Sequence, residues 1–446
     1  VNTRTEVAII GAGVAGLQAA RVLHEHRVDF VVLEARERVG GRIFTLRDES
    51  LPVPIELGAE FVHGSAPELK QLAREAHIAL ADIDGERWQS NRGRLRPVED
   101  FWPTLERVMG RLGRRGGDRS FERFLKSDGS RIDARSRQLA LQWVENFHAA
   151  DPDQVSERAL AAGGSPGDDP REQRLGRAVN GYDAVPHWLA RGIVDRVRFG
   201  AVVAGVAWQP GAARAEIRDA HGSISSSVEA RAVIITLPLG VLNAPPGELG
   251  SVAFDPPLGS YDTKAAALST MEMGTVIRLT LRLREPFWTS ERFARRAKSQ
   301  NLDRLAFLHT GDDDFPVWWT SYPVSAPMLI AWCGGPRARA LAALADDAII
   351  DRAQAAMARQ FSLTRREAGR MVTAAWLHNW RADPFARGAY SYMLVNGSKA
   401  PAKLARPVKG TVFFAGEASD SEGRTGTVHG GMATGERAAK QVLRAL

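Results

Sequence analysis

The sequence predicts an α/β chain in which a domain built on a parallel sheet is interleaved with a second, α+β domain of helices and a mixed sheet. Three observations lead there. The chain opens on a strand, a glycine-rich turn, a helix and a second strand in immediate succession. Strand-like apolar runs return near 194–236 and again at 412–415. No linker, repeat or low-complexity tract separates these parts, so 446 residues read as two domains woven through one another.

Residues 5–10 are a short apolar run of the kind that forms a buried parallel strand. Gly11 to Gly16 form the turn, a helical stretch runs from Leu17 to about His26, and Asp29–Glu34 is the second strand, ending on an acid. Residues 65 to 195 read as mainly helical and polar, with Gly/Arg/Asp-rich breaks near 110–118 and 163–172. Val194–Glu216 and Val228–Thr236 read as strands returning to a sheet. Strands at Thr275–Leu283 and Met328–Cys333 then mix with helices such as Asp346–Gln360. Val412–Ala415 is a last strand, followed by a closing helix from about Gly431 to Leu446. The predicted division is 1–82, 192–250 and 382–446 for the first domain, and 83–191 and 251–381 for the second.

Composition narrows the function classes. At 44% hydrophobic and 25% charged, the chain can bury a large core. The net charge of +7 is mostly arginine spread among acids, apart from a short cluster at Arg111–Arg115, so no nucleic-acid-binding face is expected. No apolar run approaches the roughly 18–20 residues that span a bilayer, so no membrane partner is expected either. The start lacks a signal-peptide pattern, and the expected location is cytoplasmic; a leader removed ahead of Val1 would leave the same start. Cys333 is the single cysteine, which excludes an intrachain disulfide and a thiolate-cluster metal site, and no metal is expected.

The glycines of the first turn have distinct physical tasks. Gly11 permits the tight turn, Gly13 lets the backbone approach a pyrophosphate, and Gly16 lets the helix pack on the sheet. The helix head, at Val14 and Ala15, offers N–H groups and a positive dipole end to phosphate. Glu34 stands where a carboxylate accepts hydrogen bonds from a ribose diol. NAD and FAD both use this unit. The next stretch, Glu34-Ala35-Arg36 through Gly40-Gly41-Arg42, adds a turn that can wrap a second phosphate and set a guanidinium against it.

With these segments in place, the sequence resembles the flavin-containing amine oxidase family of monoamine oxidases, polyamine oxidases and FAD-dependent histone lysine demethylases. Gly11–Gly16, Glu34–Arg42, Glu56–Gly64, Ala232–Leu242, Trp380–Tyr392 and Phe414–Gly435 carry the likeness, in family order across nearly the whole chain. The resemblance implies a Rossmann-type FAD-binding domain interleaved with the α+β substrate domain. It places Gly58, Ala59, Glu60 and Phe61 beneath the flavin and the backbone of Val203 at the adenine end. Gly416 and Glu417 fall at the ribityl or phosphate region, and Thr427 and Val428 at the flavin pyrimidine carbonyl. Tyr390 becomes one wall of an aromatic cage, Trp380 packs near the ring, and Thr427 stands where monoamine enzymes have a second cage tyrosine. His63 is placed to meet a substrate nitrogen, and the stretch Trp143–His148, with Phe147, reads as a tunnel helix.

The implied reaction is hydride transfer from the carbon beside an amine nitrogen to flavin N5, imine hydrolysis, and reoxidation by O2 to hydrogen peroxide. Two departures refine this. Where monoamine oxidases attach the flavin through a cysteine, this chain has Ala389, so non-covalent FAD is expected. Where polyamine oxidases and demethylases have a lysine, it has Arg278; Lys264 lies in a different segment, so Arg278 is expected to keep only the electrostatic role. A polyamine is the first expected substrate, with Glu60, Glu145 or Asp151 offsetting its charge, and a monoamine stands close behind. An L-amino acid oxidase and a flavin-dependent desaturase or isomerase are the rivals. The sequence leaves oligomeric state open.

Overall fold

The computed structural model describes residues 2–91, 93–113, 116–128, 132–163, 173–219, 223–297, 302–312 and 314–446. Parts of the predicted breaks at 110–118 and 163–172, and of the Arg111–Arg115 cluster, lie outside the described residues.

One five-stranded sheet is wholly parallel, in the order Val197–Arg198, Phe30–Leu33, Val7–Ile10, Ala232–Ile235, Val412–Phe414. Its three central strands are buried at every position, which is why they read as unbroken apolar runs and not as alternating ones. Helix Val14–Glu25 follows the first strand, and helix Val428–Leu443 closes the chain. The two helices touch through their small residues. A Cβ on Gly435 would stand 2.1 Å from the Ala15 carbonyl oxygen; Gly16, in turn, lets the first helix close on its own turn, where a Cβ would stand 1.9 Å from the Gly11 carbonyl oxygen. Both helix heads are thereby drawn to the same edge of the sheet, beyond the carboxyl ends of its strands.

A second five-stranded sheet orders Asn2–Arg4, Ile224–Ala230, Ala212–Arg218, Val202–Gln209 and Ala253–Asp255. This corrects two expectations. The run at 194–216 is a short 3₁₀ turn, Val194–Arg196, followed by three strands, with a turn between Gln209 and Ala212. The run at 228–236 is also divided: Ile224–Ala230 belongs to this mixed sheet, and after Arg231 the chain crosses into the parallel sheet as Ala232–Ile235.

The third large sheet has seven strands, in the order Val372–Leu377, Val276–Leu283, Met328–Gly334, Val317–Thr320, Leu305–Thr310, Glu86–Asn91, Arg94–Pro97. Helix Asp346–Gln360 contributes Ile349, Ala353, Ala356 and Met357 to the core behind it. The stretch 65–195 is less helical than predicted, since it supplies Leu80–Asp82, Glu86–Asn91, Arg94–Pro97 and Leu175–Ala178 as strands. Among the described residues no helix is long and apolar enough to cross a membrane, and no cluster of three or more metal-ligating side chains occurs.

Candidate active site

A continuous cavity of about 930 Å³ runs from the glycine turns at the edge of the parallel sheet into the face of the seven-stranded sheet. The glycine turns form its first wall. Gly11 has φ +103°, a conformation that a side chain would strain, and its N–H donates to the Leu33 carbonyl at 2.8 Å. Gly13 and Gly40 are bridged in parallel, the Gly40 N–H donates to the Ala12 carbonyl at 2.9 Å, and a Cβ on Gly41 would lie 3.3 Å from Gly13 Cα. A Cβ on Gly13 would meet no protein atom within 4 Å, so that backbone is open to a ligand. Val14 and Ala15 at one helix head and Val428 at the other border the same space.

Glu34 is buried at the rim. Its oxygens accept from the Ala12 N–H at 2.7 Å and the Arg36 N–H at 2.9 Å, and burial pushes its carboxyl above the usual range against the pull of those two donors. Ala35 and Val203 line the cavity nearby; the Ala201 N–H donates to the Glu34 carbonyl, and Val203 sits at a β-bulge. Arg36 makes two 2.8 Å bonds to Asp383, which also accepts from His378 at 2.8 Å. Burial opposes charge on Asp383, but His378 and Arg36 outweigh it and hold the carboxyl low. Arg36 is thus tied to the chain's last third, with its guanidinium engaged by a carboxylate.

Arg42 likewise reaches across the sequence, donating to the Ala389 carbonyl at 2.7 Å and to Glu417 at 2.9 Å. The other oxygen of Glu417 accepts from the Ser391 hydroxyl at 2.8 Å and the Gly426 N–H at 3.1 Å. Gly416 precedes it with φ +116°, its N–H held by Thr434 at 2.9 Å. Gly58 is pressed against Arg42 and Trp380: a Cβ there would stand 1.9 Å from the Arg42 carbonyl oxygen and 3.1 Å from the Trp380 ring. Trp380 donates to the Leu57 carbonyl at 2.8 Å, and the Ala59 N–H donates to that of Arg42 at 3.2 Å.

Arg278 is buried, not turned to solvent. It donates to Glu60 at 2.7 Å and to the Thr280 hydroxyl at 3.0 Å, while its Nε has no partner among the described residues. Glu60 also accepts from Trp319 at 3.0 Å and pairs with Arg177 at 3.2 Å. Burial disfavours its charge, but the Arg278 and Arg177 guanidiniums overcome that and keep its carboxyl below the usual range. Lys264 lies elsewhere. It is buried under the Phe414 ring and donates to the carbonyls of Lys403, Leu404 and Arg406, closing the end of helix Ala400–Ala405.

The aromatic end is built from separate elements. Tyr390 donates to the Phe147 carbonyl at 2.7 Å and packs on Gly426, where a Cβ would lie 3.3 Å from its ring. Phe147 is 41% exposed although large and apolar, because it faces the cavity. It stacks on Trp143 at 4.0 Å and meets His63 edge-on at 5.5 Å. Burial, and secondarily His429, pulls the His63 pKa down to about 4, so its imidazole is neutral. Phe61 packs on Trp319 at 5.4 Å. Thr427 lines the cavity, and its hydroxyl accepts from the Gly430 N–H at 3.0 Å and donates to the Arg424 carbonyl, capping helix Val428–Leu443. That helix starts at Val428, three residues ahead of the predicted Gly431.

None of the three acids expected to balance a polyamine is available. Glu60 is held by two arginines, and Glu145 and Asp151 do not line the cavity. Sequence reasoning also missed Arg87, His309, Trp319 and Trp332, which line the deep end. The alternation of Glu86–Asn91 and the apolar runs at Leu305–Thr310 and Val317–Thr320 were the available signals.

The family profile described as flavin containing amine oxidoreductase matches residues 14–443. The chain belongs to that family. Polyamine oxidase 4 of Oryza sativa subsp. japonica is 26% identical, with 98% of this chain and 88% of that protein aligned. Flavin-containing amine oxidase B of Cavia porcellus is 24% identical over 100% of this chain and 87% of its own length. In fold, the chain is similar to putrescine oxidase bound to putrescine, with a TM-score of 0.80, 21% identity and all of both chains covered. The flavin of this oxidoreductase is FAD, and the cradle fits it: open glycine backbone, two helix heads and a cleft that continues past Gly58. Cys333 is buried outside the cavity and Ala389 lines it, so this cysteine does not tether the cofactor.

Proposed function

We propose that this enzyme oxidises an amine bearing one charged nitrogen, at the carbon beside that nitrogen, in the space bounded by Tyr390, Phe147 and His63. The observation that carries the reading is that this aromatic wall opens into the same cavity as the dinucleotide cradle. FAD bound there supplies the two-electron oxidant that takes the hydride, and O2 restores it with release of hydrogen peroxide.

The chain's own part is to bind, desolvate and orient. Aromatic faces attract the ammonium on entry, and exclusion of water lowers its pKa and favours the neutral amine that loses hydride. His63, held neutral, can accept a hydrogen bond from the amine N–H. Trp380 and Gly58 fix the floor through the bond to the Leu57 carbonyl. Arg278, Arg177 and Glu60 leave one net positive charge beside the cleft, supporting the electrostatic role assigned to Arg278. Because Glu60 already occupies Arg278, that arginine is poorly placed to hold the α-carboxylate of an amino acid. A polyamine, the first expectation, is placed second because no cavity-lining carboxylate is free among the described residues.

The test is to mix the holoenzyme with hexylamine in air. Equal amounts of aldehyde and hydrogen peroxide are expected; peroxide without aldehyde, or neither, would contradict amine oxidation.

A further inference from the structure

The deep end of the cavity holds a cation that has no counter-ion among the described residues. Arg87, on strand Glu86–Asn91, lies 4.8 Å from the Phe101 ring centre, 5.3 Å from Trp102 and 4.6 Å from Phe307. Its side chain borders the cavity, and among the described residues no carboxylate or carbonyl accepts a hydrogen bond from it. A guanidinium has five N–H donors, and an enclosed one is ordinarily paired. Burial pulls its pKa down only to about 10, so it stays charged at neutral pH. Beside it, His309 stacks on Phe101 at 4.9 Å, with Nε2 buried and without a partner among the described residues. Among the described residues, the acids that line the cavity are committed elsewhere: Glu60 to Arg278 and Arg177, Glu417 to Arg42, Asp420 to Arg424, and Glu34 to backbone N–H groups.

Two walls connect Arg87 to the reacting end. One runs from Phe101 to Trp143 at 6.1 Å, then to Phe147, whose carbonyl holds Tyr390. The other runs from Phe307 to Phe61 at 5.9 Å, then to His63 at 6.1 Å. A substrate nitrogen near His63 would thus be separated from Arg87 by an apolar passage about two rings long.

We propose that Arg87 forms an anion-recognising subsite, and that the enzyme takes amines carrying a carboxylate at the end remote from the oxidised nitrogen, joined by an apolar spacer. The planar guanidinium fork matches a carboxylate in two parallel hydrogen bonds, and the aromatic collar keeps water from competing. A second ammonium in the same position would face an unscreened like charge. The inference rests on the amine-oxidase reading and narrows its substrate class.

The test uses the holoenzyme and three matched series of five to eight carbons: ω-amino acids, α,ω-diamines and plain alkylamines. Flavin bleaching is followed anaerobically for each. The ω-amino acid of best length should bind at least about tenfold more tightly than the matching diamine, the scale of one charged hydrogen-bonded pair. Arg87→Gln should erase that preference and leave alkylamines nearly unchanged, and Arg87→Lys should keep part of it. Hexanoate, which carries no amine, should perturb the flavin spectrum or tryptophan fluorescence in the parent and not in Arg87→Gln. If diamines reduce the flavin as well as ω-amino acids do, or if the ratio survives Arg87→Gln, the subsite is refuted while amine oxidation stands. If no series bleaches the flavin, the amine reading fails instead, and hexanoate binding alone then decides the subsite. Should Arg87→Gln not fold, the parent's preference and the Arg87→Lys variant still decide.

Discussion

At the scale of single residues, the decisive feature is how charge is shared around Glu60. Its carboxylate neutralises one of two buried guanidiniums and also accepts from Trp319. Removing it leaves Arg278 and Arg177 uncompensated at low dielectric, which typically costs about 3–5 kcal/mol. Glu60→Gln is therefore expected to lower the thermal midpoint strongly and to weaken FAD retention, both measurable by flavin fluorescence during heating; an unchanged midpoint would show that the cluster is not held by charge. The family resemblance made Glu60 and Arg278 candidates separately, one beneath the flavin and the other where polyamine oxidases have a lysine. Their pairing was hidden, because 218 positions separate them and only the meeting of two sheets brings them together. Arg87 was hidden for a related reason. An arginine on an alternating strand reads as solvent-facing until a second layer of aromatic rings is seen to cover it.

At the scale of elements, the cradle depends on how closely two helices approach. Gly435 gives the closing helix room to lie on the Ala15 backbone, and this draws the Val428 head toward the glycine turn. Gly435→Val should force the helices apart, an overpacking of about 1–3 kcal/mol, and should release FAD at lower denaturant concentration. Denaturant titration followed by flavin fluorescence checks this; an unshifted release would mean that the cradle does not need the contact. The strand–turn–helix–strand unit was legible because local glycine chemistry and full burial agree in sequence. The strands at 80–97 were not, because they are short and partly exposed, with polar residues alternating in ways a helix surface also allows. The break at Arg231 was masked because strand-forming residues stand on both sides of it while the chain changes sheets.

At the scale of the whole molecule, the cavity joins the parallel sheet to the seven-stranded sheet and places three histidines in a desolvating environment. Burial lowers His63 and His148 to about 4 and His309 to about 3. An unfolded histidine titrates near 6.5, so between about 4 and 6.5 the unfolded chain binds more protons than the folded one. Stability from these groups is complete above that window and is lost as pH falls through it. The thermal midpoint should accordingly drop between about pH 7 and pH 5, and replacing His309 with Phe should shrink the drop; a flat profile would mean that these rings are hydrated. The interleaved architecture was legible in outline from returning strands and absent linkers. What the seven-stranded sheet encloses was not, since the cavity is lined from five of its strands, whose order in the sheet differs from their order in sequence.

At the aromatic end of this cavity, on the proposed reading, an amine carbon gives up its hydride. The most direct measurement is anaerobic mixing of the FAD-loaded enzyme with an amine, with the same amine deuterated at the carbon beside nitrogen, and with the isosteric alcohol. Bleaching of the flavin absorbance by the amine, slowed by deuterium and absent with the alcohol, is the predicted result. Intact FAD that no amine bleaches would contradict the account.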